Sequence, residues 1–329
     1  MYFNFITILI ILIILIVIII LYFIVRKRHL TTFTTTFTTF IPTKKKNGQN
    51  KKENFLVYDY NLNEGGFADF LKYFFKTFYI SDILNKQLYI NFNHPSKKFI
   101  LFNLPNYQNE NKNTAEYLSI RKGDFITILS ENKNFIIKNM DFYKSNKKLN
   151  KNNIPDDKNT IKYIIDKYKN LNNILYYGEE VINVYNKLKP KKEYISIHYR
   201  IGDKSLEITP DQNIAKNDDR EVDDNKIILN IKNIVENSKE KDIYFFCDNS
   251  NFKKKITPLF PKIKTLDFDI IHFGLKYSNI DKETYEKNLI LTIVEFLIIQ
   301  NSLEIHTMSL SGFSEIAAYL NDKDTIKYF

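Results

Sequence analysis

The chain of 329 residues holds one cysteine, Cys247, and no tryptophan. One thiol excludes an intrachain disulfide and any cysteine-rich zinc site, and nothing ties the fold to an oxidising compartment. Glycine and proline are scarce, at 8 each. No glycine-rich Walker loop and no serine-nucleophile elbow occurs, so the nucleoside-triphosphatase and serine-hydrolase signatures are missing. The five histidines (29, 94, 198, 272 and 306) show no paired ligand spacing. The net charge of +10 would suit nucleic acid or an anionic surface. It comes without a basic helix or an RNA-binding signature, and the abundance of Lys, Asn, Ile, Phe and Tyr suggests an A/T-rich coding bias. Nucleic acid is therefore not an expected partner.

A long apolar run is present. Phe5 to Val25 is an almost unbroken Ile/Leu/Val/Phe stretch, long enough to span a bilayer as a helix. It exceeds a signal-peptide core and lacks a small-x-small cleavage site, so residues 1–25 read as an uncleaved anchor with the lipid bilayer as partner of residues 5–25. Met1 to Asn4 carry no charged side chain, whereas Arg26-Lys27-Arg28 and Lys44-Lys45-Lys46 follow the run. The positive-inside rule then favours a cytosolic rather than luminal carboxyl-terminal part of a single-pass endomembrane protein. No Asn is followed two positions on by Ser or Thr, and the missing glycosylation acceptors point the same way. Residues 26–53, Thr-rich and then Lys/Asn-rich, read as a solvated tether.

Beyond the tether, two α/β halves are expected, at 54–190 and 191–329. The first opens with a strand at Phe55 to Tyr58, the turn Asn61 to Gly66, a helix from Phe67 to Leu84 with apolar residues at helical spacing, and a strand from Gln87 to Phe92. Weaker strands are expected near Phe125 to Ile128 and Phe135 to Ile137, and helical periodicity runs from Thr160 to Leu188. Lys189-Pro190-Lys191-Lys192 breaks it and marks the boundary. The second half alternates strands at Ile195, Ile243, Ile263 and Leu303 with helices at 225–238, 282–300 and 315–320. Such alternation implies parallel sheets of Rossmann type.

Chemistry concentrates at strand ends. His198 and Arg200 share one face of a strand because they are two residues apart, and Gly202-Asp203 follow. Arg200 is placed to clamp a diphosphate, or to pair with Asp203 as a structural ion pair. Gly65 and Gly66 sit where a strand feeds a helix amino terminus, either as an anion site or as a tight turn. Ser309, Ser311, Gly312, Phe313 and Ser314 lead into the last helix, where their hydroxyls and amides either bind phosphate or cap the helix. Asp248 ends a strand and can accept from a ribose or base, or act as a surface cap.

Taken in order, these pieces resemble the fucosyltransferase superfamily that carries the His-x-Arg-x-Gly-Asp motif. His198, Arg200, Gly202 and Asp203 match its central motif, Leu56 to Ile90 its first strand–turn–helix–strand unit, Phe245 to Ser250 its strand ending in Thr-Asp or Ser-Asp, and Ser311 to Ala318 its Ser-Gly-Phe-Ser-x-x-Ala element. The resemblance implies a GT-B-like α/β fold with two Rossmann-type domains facing a cleft. It implies inverting transfer of fucose from a GDP-fucose donor to a glycan or protein hydroxyl, with no metal or other cofactor. Arg200 would hold the β-phosphate, His198 the guanosine side, Asp203 the arginine strand, Ser311 and neighbouring amides the phosphate, and Glu295 the guanine. Glu207 lies near the offset of a catalytic base, or is a solvated loop acid. Asp267-Phe268-Asp269 matches the metal-binding Asp-x-Asp pattern of another glycosyltransferase class, but three residues carry little weight in a chain with this much Asp. Ala68 and Phe70 depart from the family turn, which puts acceptor contacts in doubt. A catalytically inactive binding homologue, a transferase for another nucleotide sugar and a basic membrane-tethered scaffold therefore stay open.

Overall fold

Strand β1 (Phe55–Asn61) is buried on both faces over its first six residues, the pattern of a central strand in a parallel sheet. A computed structural model describes residues 54–105, 115–117, 125–131, 133–139, 141–142, 156–169, 171–202, 206–211, 223–238, 241–266, 268, 270–307, 311–321 and 326–328. Among them no helix is long and apolar enough to cross a membrane. The expected anchor at 5–25 and tether at 26–53 lie outside the described residues.

From β1 the chain turns at Gly65-Gly66 into helix α1 (Phe67–Ile83), and β2 (Gln87–Asn93) returns parallel to β1. There follow β3 (Ile100–Phe102), β4 (Ala115–Tyr117), α2 (Phe125–Ser130), β5 (Asn134–Lys138), α3 (Asp157–Tyr168), β6 (Leu175–Tyr177) and α4 (Glu179–Leu188). The first parallel sheet has the order β2-β1-β5-β4, and β3 and β6 form a separate antiparallel pair. The second run is β7 (Tyr194–Tyr199), α5 (Asp224–Asn237), β8 (Asp242–Cys247), α6 (Ser250–Leu259), β9 (Ile263–Thr265), α7 (Lys282–Gln300), β10 (Ile305–Thr307), α8 (Gly312–Leu320) and β11 (Ile326–Tyr328). Its sheet is parallel throughout in the order β11-β10-β7-β8-β9, the doubly wound arrangement of a Rossmann fold.

Three sequence expectations change. Phe125 to Ile128 is helical, not a strand, because β4 and β5 are parallel and need a crossover between them. The periodicity from Thr160 to Leu188 is two helices rather than one. Lys169 ends α3 in the left-handed conformation at φ 55°, and β6 intervenes before Gly178 caps α4. Helix α6, absent from the sequence reading, carries only Phe252 and Ile256 as buried apolar residues, with Lys253-Lys254-Lys255 and Pro258 obscuring its period.

The described residues belong to one compact unit, and its main core runs through both sheets. Phe67 marks the junction. Its ring lies 4.9 Å from Phe273, 5.0 Å edge-on from Phe296 and 6.4 Å from Phe313. Aromatic pairs at such spacings add to the burial of their own area.

Candidate active site

A cleft of about 460 Å³ opens above this aromatic junction, within the size range of small-molecule sites. Its first wall is the carboxyl end of β7. In the second sheet β7 lies between β10 and β8, so the winding reverses beside it, and open α/β sheets bind ligands at such switch points. His198 and Arg200 both line the cleft here.

The turn after β7 is held by Asp248, at the end of β8. Its Oδ1 accepts from the Ile201 amide at 2.7 Å and its Oδ2 from the Gly202 amide at 3.0 Å. Arg200 Nε stands 3.8 Å from the same Oδ2. Burial raises the Asp248 pKa, and Arg200 with the two amides works against that rise. Gly202 has φ 118°, a conformation that a side chain at this turn would strain. Asp248 thus clamps the arginine turn from a position that lines the cleft. The ion-pair partner of Arg200 seen here is Asp248; Asp203 lies outside the described residues.

His198 is buried and neutral. Burial, with the Arg200 charge adding to it, lowers its pKa to about 3. Its Nδ1 is 2.6 Å from Ser314 Oγ, which donates to Thr307 Oγ1 at 3.3 Å. The ring nitrogen and the two hydroxyls form one hydrogen-bonded chain that fixes the plane of the imidazole. Phe313 packs on the imidazole at 5.6 Å.

Next to this pair, Ser311 is the N-cap of α8, but its side chain makes no capping hydrogen bond. Its Oγ is buried and has no hydrogen-bond partner among the described residues. A hydroxyl in that state, at an open helix amino terminus with a guanidinium across the cleft, fits a phosphate oxygen. The helix starts at Gly312, three residues before the expected Glu315. Ser309 lies outside the described residues.

Glu295 enters the cleft from α7. Burial raises its pKa to about 7, Lys253 lowering it and Asp248 raising it in turn. Lys253, missed in the sequence, is a buried amine that donates to the carbonyls of Leu266 at 3.1 Å and Phe268 at 3.2 Å. Asp267 and Asp269 lie outside the described residues. Glu207 does not join the cleft. It is exposed, and its Oε1 accepts from the Asn251 amide in the first turn of α6 at 2.7 Å, a helix-capping role that corrects its reading as the base.

The opposite wall comes from the first half. Gly66 caps α1, and its amide donates to Asp69 Oδ2 at 3.2 Å. The chain thus supplies its own anion at this helix terminus, and the anion-site reading of Gly65-Gly66 yields to a turn closed by Asp69. Phe70 is fully buried, stacked with Phe74 and 5.0 Å from Tyr60, so this departure serves the core rather than the cleft. Ala68 packs close to Gly312 and brings the starts of α1 and α8 together.

A segment that the sequence did not flag completes the cleft. Residues 271–277 cross from the second half onto the first. The Asn63 amide donates to the Gly274 carbonyl at 2.6 Å, and His94 Nε2–H donates to the Phe273 carbonyl at 2.8 Å. The His94 ring stacks on Phe273 at 4.3 Å, and burial keeps this imidazole neutral, its pKa lowered to about 4. At Gly274 a Cβ would fall 1.8 Å from the Gly65 carbonyl oxygen, so only glycine permits this backbone approach. The strap carries His272 into the cleft.

Two Rossmann-type lobes around a ligand-sized cleft define a GT-B-like α/β fold. No family model and no curated protein matches the sequence. Solved structures do match. NodZ α-1,6-fucosyltransferase of Bradyrhizobium, co-crystallised with GDP, aligns at TM-score 0.50 and 10% identity over 82% of this chain and 92% of its own. A mutant of Arabidopsis thaliana FUT1 in complex with GDP aligns at TM-score 0.52 and 9% identity over 85% of this chain and 71% of its own. The chain has the fold of these fucosyltransferases.

Proposed function

We propose that this protein is a fucosyltransferase that takes fucose from GDP-fucose and transfers it, with inversion and without a metal, to a hydroxyl of a glycan or protein. The observation that carries the reading is that one cleft is lined both by Arg200, at the switch point of the second sheet, and by Ser311 at the start of α8, whose buried hydroxyl has no hydrogen-bond partner among the described residues. The fold's relatives are crystallised with GDP, which supports the same donor class.

In this reading the acceptor oxygen attacks the anomeric carbon as the bond from that carbon to the β-phosphate oxygen breaks. The electron pair leaves with GDP. The guanidinium of Arg200, Ser311 and the first amides of α8 receive that charge, which is why a cation need not be supplied. His198 contacts the guanosine side of the donor, and Glu295 accepts from the guanine edge. A donor screen tests the assignment. GDP release from GDP-fucose is expected, and release of UDP from UDP-sugars with none from GDP-fucose would overturn it.

Glu295 gives this reading a pH signature. A carboxyl can accept both guanine donors only when ionised, so GDP affinity should rise with pH up to about 7 and level off above it. Kd measured by titration should be roughly tenfold weaker at pH 6 than at pH 8. The stability sign is opposite. The folded chain binds the extra proton between the ordinary carboxylate range and about 7, so stability should fall as pH rises through that window. Glu295→Gln should flatten both profiles, and a Kd that ignores pH would remove Glu295 from the guanine site.

The reading includes an anchor at 5–25 and a tether at 26–53, with the catalytic part on the cytosolic side. Protease added to sealed membranes should digest the chain from the outside. Full protection until detergent is added would place the catalytic part in the lumen instead.

A further inference from the structure

An inverting transfer needs a group to take the proton of the attacking hydroxyl, and this inference rests on the function proposed above. The acidic and basic groups around the cleft differ in what they already do. His198 is neutral and tied to Ser314, Asp248 clamps the arginine turn, and Glu207 caps α6 outside the cleft. Glu315 holds the Tyr328 hydroxyl at 3.2 Å. Glu295 is buried on the α7 side.

On the far wall, His272 Nε2 comes within 3.4 Å of the position that a Cβ on Gly66 would occupy. Asp69 Oδ2 reaches the Gly66 amide at 3.2 Å. The imidazole and the carboxylate thus border the same residue at the rim of the cleft. His272 is also held rigidly. Its amide donates to the Tyr277 hydroxyl at 2.8 Å, its carbonyl accepts from the Leu275 amide at 3.1 Å, and the next two residues are fastened to His94, Gly65 and Asn63. Such fastening fixes the backbone that carries the imidazole before substrate arrives, which favours proton transfer in a transition state.

We infer that His272 is the base of the reaction. The acceptor O–H gives its proton to Nε2 as its oxygen bonds to the anomeric carbon and GDP departs. The resulting imidazolium returns its proton to solvent after GDP leaves. The strap is then the element that completes the active site, and its stitching to the first lobe is what places the base.

The test uses the full chain, GDP-fucose with water as acceptor, and sodium azide, a nucleophile with no proton to lose. His272→Gln should lower hydrolysis by about 10²-fold, the size expected for loss of a general base. Its Kd for GDP should stay within about twofold of wild type, which shows that the variant is folded. Azide should restore GDP release by His272→Gln, yielding fucosyl azide of inverted configuration, and should fail to restore Arg200→Ala. Hydrolysis by His272→Gln near the wild-type rate overturns the assignment, as does a variant that azide does not rescue. A wild type that releases no GDP from GDP-fucose overturns the donor reading itself, and the base with it.

Discussion

Arg200→Ala should lower GDP release from GDP-fucose by about 10³-fold, with most of the loss in kcat. The expectation follows from where the charge goes. In the ground state the β-phosphate already carries negative charge, and solvent shares in holding it. As the sugar–phosphate bond breaks, a further charge develops on the leaving oxygen inside a cleft built over an aromatic floor. A guanidinium aimed at that oxygen is therefore worth more in the transition state than in the bound donor. Single preorganised donors at such positions contribute about 10²–10³ in rate, and arginines facing a transferring phosphoryl group contribute about 10³ or more.

The variant should fold. The Arg200 side chain is partly exposed, and Asp248 keeps its two backbone amides when the guanidinium is removed. Lysine should recover only part of the loss, since it restores charge but not the two-pronged donor geometry. Single-turnover GDP release alongside a melting curve decides the matter. A folded alanine variant within tenfold of wild type would remove Arg200 from the reaction.

Much of this site was legible in the sequence because it sits on elements with strong local signals. The period-two alternation of β7 puts His198 and Arg200 on one face, and α7 runs from a capping Asp281 through an apolar stretch to Gln300. What was not legible depends on partners distant in the chain. The strap is defined by contacts from Gly274 to Asn63 and from Phe273 to His94, which no local pattern announces. The misreading of Glu207 has a traceable cause. Its carboxylate serves the amino terminus of α6, and with α6 hidden behind three lysines and a proline, there was no helix for Glu207 to cap. The clamp made by Asp248 was hidden for a related reason, since the amides it holds become a paired site only once the turn at Gly202 adopts its positive φ.

Phe67→Ala should cost about 3–5 kcal/mol, the usual price of truncating a buried phenylalanine, and lower the melting temperature by roughly 6–10 °C. Phe67 is 2% exposed and touches rings from both halves of the chain, Phe70 from its own helix and Phe273, Phe296 and Phe313 from the second half. Because one core passes through both lobes, the variant should still melt in a single transition rather than releasing one lobe first. The cavity would also open directly beneath the cleft. Phe313, which loses a neighbour, is the residue that backs His198 at 5.6 Å, and it lies in the first turn of α8, the helix proposed to meet the phosphate. Donor affinity should therefore fall together with stability. Phe67→Leu keeps most of the volume and should recover most of both. Calorimetry and GDP titration of the two variants separate the possibilities. Two resolved transitions, or a melting shift under about 2 °C, would mean that the lobes are held together elsewhere and that Phe67 is not the keystone of the junction.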